Sequence, residues 1–309
     1  MRQLNLQGVV PALLTPFNTD LGIDFNALTR LVDRTLAVDG VGALFGVGHA
    51  GEVAALDREE RQEVTRVIAE RVGGRVPVLA GVYSDSLREA VQHAKDAKAA
   101  GANAVTVFPP PIFADGACAS HEMPLLWHRT IAEDADIPLV LFQFSPGGGL
   151  GYTPATLAKL VALPYVVGIK EGSGGMAPYQ LNLEICRAAA PPVPVLTSHN
   201  SAILCSLAAG GEGILSGSGS VIAAELAQMM AAVTRGDLFG AREVHEKLRP
   251  LTKFFYKPPF IDMHTRMKDA LVMLGVLEHA TVRPPLLPTS DADKAELRAA
   301  LQFAGLLGK

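Results

Sequence analysis

Cysteine is scarce in this chain. Cys118, Cys186 and Cys205 are an odd number without CxxC spacing, each beside small or aliphatic residues. They are expected to be buried apolar side chains rather than disulfides or zinc ligands. No apolar run approaches the roughly 18 residues of a membrane span, and the N-terminus lacks the apolar stretch and small-residue cleavage site of a secretory signal. A soluble cytoplasmic protein is therefore expected. The net charge of −4 is carried without any Lys/Arg block, which argues against nucleic acid or an anionic membrane as partner and leaves small molecules. Three catalytic signatures are also missing. There is no GxGxxG after the first strand, no HExxH, and no GxSxG in the required context, although Ser145, Ser173 and Ser216 stand near strand ends.

What is present is an alternation. Apolar, β-branched runs recur as VVPALL, GALFGV, VPVLAGV, AVTVFP, IPLVLFQF, VVGIKE, VPVLTS and GILSG. Between them lie amphipathic segments. FNALTRLVDRTLAV carries Phe25, Leu28, Leu31, Val32 and Leu36 at helical spacing, and REERQEVTRVIAERV carries Val64, Val67, Ile68 and Val72. Asp57 with Glu60 and Ser86 with Glu89 have capping-box spacing, Thr153 precedes Pro154, and Gly40 and Gly101 stand where helices should stop. Strand, helix, strand at this spacing requires parallel strands with helical crossovers. Eight such units predict an α/β fold, a (β/α)₈ TIM barrel over residues 1–236, against the alternative of an open doubly wound sheet. Beyond Gly236 the strand signal stops, and residues 237–309 read as a C-terminal extension of three helices packed on the barrel.

Working residues of such a barrel come from the C-terminal strand ends. Two charges stand out there, Glu52 and Lys170. Lys170 ends an entirely apolar strand, where an ammonium must be paired or lose its charge, and a neutral amine can attack a ketone. The alternative, an ion pair with Glu171, conflicts with the opposite facing of adjacent strand residues. GVGHAGE offers backbone amides in a tight turn suited to a carboxylate. His49 and His199 fall at strand ends as candidate proton carriers, with Tyr83 and Tyr152 as possible phenols. The remaining histidines, His264 among them, read as structural. SGSGS resembles a barrel phosphate loop, which keeps a phosphosugar aldolase open. The proline-rich FPPPIF and the FQFSP rim suggest a less polar substrate tail than a sugar.

These segments together resemble the dihydrodipicolinate synthase / N-acetylneuraminate lyase family of class I pyruvate-type aldolases. The similarity runs through GVVPALLTPFNTDLGIDFNAL, GVGHAGEVAALDREER, RVPVLAGV, VVGIKEGSGG and GGEGILSG. It implies a (β/α)₈ barrel with a C-terminal helical extension, a homo-oligomer (tetramer or dimer), and no metal or organic cofactor. It maps Lys170 onto the Schiff-base lysine, acting on pyruvate or a related 2-oxo acid, and carries substrate contacts onto Gly48, Ala50, Gly51, Leu215 and Ser216. Departures accompany it. The hydroxyl residues of the family's GTTGE-type turn are replaced by His49 and Ala50, and the tyrosine ending the fifth strand by Phe142, which cannot transfer protons. The arginine of the synthase branch falls near Gly147, and paired tyrosines become Pro110 and Pro111. The resemblance thus implies a lyase, aldolase or dehydratase, other than the lysine-biosynthetic synthase, with His49 as substitute acid/base. A barrel that binds a 2-oxo acid without turnover is the alternative.

Overall fold

The computed structural model describes residues 4–117 and 120–308; Cys118 lies outside them. Eight strands form one parallel sheet: β1 Gly8–Pro11, β2 Leu44–Gly46, β3 Val78–Val82, β4 Ala104–Val107, β5 Leu139–Gln143, β6 Val166–Glu171, β7 Val195–Thr197 and β8 Gly213–Ser216. Their order is β1-β8-β7-β6-β5-β4-β3-β2. Isolated bridges from Val9 to Val41 and from Ala12 to Phe45 bring β1 beside β2 and complete the ring. The sheet is a (β/α)₈ barrel rather than an open one. Its strands are buried nearly throughout, as expected where helices cover one face and packed side chains fill the other.

The first eight helices are α1 Phe25–Leu36, α2 Arg58–Val72, α3 Leu87–Ala99, α4 Glu122–Ala135, α5 Pro154–Val161, α6 Met176–Ala188, α7 Ile203–Ala208 and α8 Gly219–Thr234. Their starts follow local chemistry. Asp57 and Glu60 form a complete capping box on α2, and Thr153 caps α5 with Pro154 in its first turn. On α3 the box is half made: Ser86 accepts from the Glu89 amide, but the Glu89 carboxylate turns to Ser84. Gly101 takes φ +98° just beyond the α3 cap, the left-handed position glycine supplies at low cost.

Three further helices follow, α9 Leu238–Phe255, α10 Met263–Met273 and α11 Asp291–Phe303. α9 packs on α8 and α11, and α10 also touches α8. The α9–α10 connection thereby reaches the barrel mouth. Of the cysteines, Cys186 is buried as expected, whereas Cys205 is exposed, because the short α7 turns it outward. Among the described residues no helix is long and apolar enough to cross a membrane, and no group of three or more His, Cys, Asp or Glu could hold a metal ion.

Candidate active site

Lys170 is the fifth residue of β6, in register with Phe142 on β5 and Leu196 on β7. Its side chain is 5% exposed and opens into a cavity of about 390 Å³. Among the described residues no carboxylate pairs with Nζ and none of their groups hydrogen-bonds it. Nζ lies instead 3.9 Å from the centre of the Phe142 ring and 5.5 Å from that of Phe45. Burial without a partner draws the amine down from its ordinary 10.5 to about 7. Glu171 points the other way, as the strand period requires, accepting from the Ser173 amide and from Asn182 on α6.

His49 and Ala50 line the same cavity. The turn that carries them is built by close approach rather than by glycine φ. A Cβ on Gly48 would sit 2.5 Å from the Phe45 ring, and one on Gly51 3.0 Å from the Leu13 carbonyl. The left-handed positions are Val47 (φ +53°) and Glu52 (φ +56°). For a β-branched residue such as Val47 this is uncommon and costly, and strain of this kind gathers at functional sites. Gly48 O accepts from the amides of Gly51 and Val53, and His49 O from that of Glu52. The amides of His49 and Ala50 donate to no described acceptor.

Burial draws the His49 imidazole down to about 3, with His264 and Lys170 nearby adding to the effect. The ring stacks on Phe260 at 6.1 Å and meets His264 edge-on at 5.3 Å. It is a neutral imidazole at neutral pH. His264, expected to be remote and structural, in fact sits directly behind the site. Its Nε2 lies 2.6 Å from the His49 carbonyl and its Nδ1 2.6 Å from that of Ile261.

The other anticipated residues separate. Phe142 lines the cavity beside Lys170, and Phe144, two residues on and therefore on the same face, packs against it at 4.0 Å. Leu215 belongs to the hydrophobic core, and Gly217 takes the place on the cavity wall. Ser216 holds a network behind it, with Oγ 2.5 Å from Asn200 Oδ1 and 2.8 Å from Ser218 Oγ. The SGSGS loop therefore has its hydroxyls already engaged. Tyr152 is fully buried, its hydroxyl 3.3 Å from His128, rather than at the rim. Tyr83 packs edge-on against Phe108 beside a second cavity. His199 does reach the first cavity.

Tyr256 was not foreseen from the sequence. It caps α9, lines the cavity, and holds its hydroxyl 3.2 Å from Ser216 Oγ while accepting the Ser218 amide at 3.0 Å. Phe260 and Met263 enter the wall from the same connection. Glu52, the other strand-end charge, takes no part in the cavity. It pairs with Lys268 at 2.5 Å, both side chains buried, and accepts the Arg283 amide at 3.2 Å. This pair ties the turn to α10.

An eight-stranded barrel that buries an unpaired amine at the end of its sixth strand has the architecture of the class I, Schiff-base aldolase superfamily. The chain matches the model of the Dihydrodipicolinate synthetase family over residues 5–304 and belongs to that family, whose members are lyases of the class I aldolase type. It is 34% identical to a 4-hydroxy-tetrahydrodipicolinate synthase of Maridesulfovibrio salexigens, over 98% of this chain and all of that one. Among solved structures it is similar to the dihydrodipicolinate synthase of Thermotoga maritima, with TM-score 0.88, 30% identity, and 99% and 100% of the two chains covered. It is similar too to YagE, a family member from E. coli K12 solved in complex with pyruvate, with TM-score 0.89, 27% identity, and 98% and 99% covered.

Proposed function

We propose that this chain is a Schiff-base lyase, an aldolase or dehydratase, acting on pyruvate or a related 2-oxo acid. The observation that carries this reading is the buried, unpaired Lys170 amine beside an open cavity. Neutral Nζ attacks the keto carbon, and the carbonyl oxygen leaves as water with both hydrogens that the nitrogen loses. The imine so formed takes up a proton from solvent on its nitrogen, and the resulting iminium withdraws electrons from C3, so that a bond there can be made or broken. The unengaged amides of His49 and Ala50 would receive the carboxylate, with Gly48 and Gly51 allowing the turn its tight path. Leu215 and Ser216 support the opposite wall from behind, through Gly217.

Proton traffic needs a dissociable group, and Phe142 supplies none. A histidine at about 3 is far from the operating pH at which acid–base catalysis is efficient, so His49 serves as a neutral hydrogen-bonding wall. The Tyr256 hydroxyl, backed by Ser216, is the phenol on this cavity among the described residues. It fits the role of donor to the departing oxygen. Tyr256→Phe should lower turnover by about 10²–10⁴-fold, the usual contribution of such a group, while reduction with borohydride still traps the substrate on Lys170. Unchanged turnover would remove Tyr256 from the reaction.

Among the described residues Lys170 is the one lysine or arginine on the cavity wall, so a second substrate carboxylate meets no described cation there. That favours a reaction other than the lysine-biosynthetic condensation. The reading is tested by incubating the protein with a panel of 2-oxo acids and borohydride, then mapping the added mass. Mass on Lys170 supports it, an unmodified Lys170 with every acid rejects it, and adduct without turnover of any would leave a binding barrel.

A homo-oligomer is part of the same proposal, supported by exposed Ile112 in the segment after β4 and exposed Met123 and Leu126 at the start of α4. Light scattering should report a mass of two or four chains, and a monomer would contradict it.

A further inference from the structure

A second cavity, of about 400 Å³, adjoins the first: His49 and Phe144 stand in the walls of both. Its remaining lining is mostly apolar, with Glu52, Tyr83, His264 and Arg283 as the polar side chains. Phe108, Pro109 and Pro111 come from the segment after β4, and Leu150, Ile261 and Leu286 from three other loops. These include the proline-rich and Phe-rich rims whose composition suggested a weakly polar substrate tail.

The charged groups at this cavity have no capacity left for a ligand. Glu52 is committed to Lys268 and to the Arg283 amide. The Arg283 guanidinium is shared among Glu60, the Ala55 carbonyl and the Leu21 carbonyl. Both His264 ring nitrogens face carbonyls. Among the described residues an occupant would thus meet mainly apolar surface, with the Tyr83 phenol as a polar group at one side, no open cation for a carboxylate and no free anion for an amine. Burying a charged tail here would cost several kcal/mol, whereas each buried methylene gains about 0.8 kcal/mol.

We infer that this second cavity receives the tail of the 2-oxo acid held at Lys170, and that the tail is uncharged and apolar, an alkyl or aryl group of about four to eight carbons. The inference rests on the imine reading given above and adds the substrate class. His49 and Phe144 form the passage between the reacting carbons and the tail. The neutral state of His49 suits that position, since an imidazolium there would face an apolar chain.

The test compares four acids: pyruvate, 2-oxohexanoate, 4-phenyl-2-oxobutanoate and 2-oxoadipate, the last matching 2-oxohexanoate in length but ending in a carboxylate. The measured quantity is the concentration giving half-maximal borohydride labelling of Lys170. The two apolar-tailed acids should label at concentrations at least about tenfold below 2-oxoadipate, a modest demand for two or three buried methylenes. Ala54→Trp, at an exposed position on the cavity wall, should erase that advantage and leave pyruvate unchanged. Leu286→Trp repeats the test from the opposite side should the first variant fold poorly. Equal labelling by all four acids, better labelling by 2-oxoadipate, or an advantage that survives both tryptophans would overturn the inference while leaving the imine intact. No labelling by any acid would instead sink the imine reading itself.

Discussion

Lys170→Met should abolish the borohydride adduct and reduce lyase turnover on the order of 10⁶-fold, the scale of loss seen when an enzyme's covalent nucleophile is removed. Methionine keeps the length and apolar stem of the side chain, and its sulfur tolerates the face of Phe142. The variant also removes a buried amine that has no partner among the described residues, so the fold should be at least as stable as before. Loss of turnover in a protein with an undiminished unfolding midpoint would therefore report chemistry rather than collapse. Retained turnover above a hundredth of the original would show that the reaction does not pass through this nitrogen.

Lys268→Met should destabilise the protein by about 3–5 kcal/mol, because it strands the Glu52 carboxylate in the interior. The pair is fully enclosed at 2.5 Å, and Lys268 also donates to the Thr281 carbonyl at 2.7 Å. Burial draws Lys268 down to about 8, which leaves it charged at neutral pH. Glu52 stands in left-handed backbone at the end of the turn that carries His49 and Ala50, so losing the tie should also loosen that turn. Urea unfolding measures the effect. The double variant Glu52→Leu, Lys268→Met should recover much of the loss, since replacing both charges by apolar groups is often near neutral. A change below about 1 kcal/mol in the single variant would mean that water reaches the pair.

The barrel was legible because its signals are local. Apolar runs of five to eight residues, capping residues such as Asp57 and Thr153, and helical periodicity all act over short stretches of chain. Lys170 was legible for a related reason: a charge at the end of an entirely apolar strand must be explained wherever that strand lies. The wall supplied by the α9–α10 connection was not legible. Tyr256 meets Ser216 forty residues away, and His264 meets the His49 carbonyl across 215 residues. Nothing in the local pattern fixes those pairings. The state of His49 follows from the same contacts, since Phe260 and His264 enclose the ring. Tyr152 departs from its sequence pattern in the opposite direction, buried where a rim position is expected. It follows a glycine-rich loop that resembles a rim, yet Gln143 binds its backbone amide and carbonyl and draws it into the core.

The most direct measurement is the pH dependence of borohydride trapping at Lys170 with a saturating 2-oxo acid, followed by peptide mass. With the amine held near 7, the initial trapping rate should reach half its maximum close to pH 7 and be flat by pH 9. An ordinary lysine would have only about 3% neutral amine at pH 9 and would still be rising steeply. A rate that climbs without a plateau to pH 10, or an adduct on a different lysine, would contradict a secluded, unpaired nitrogen at position 170.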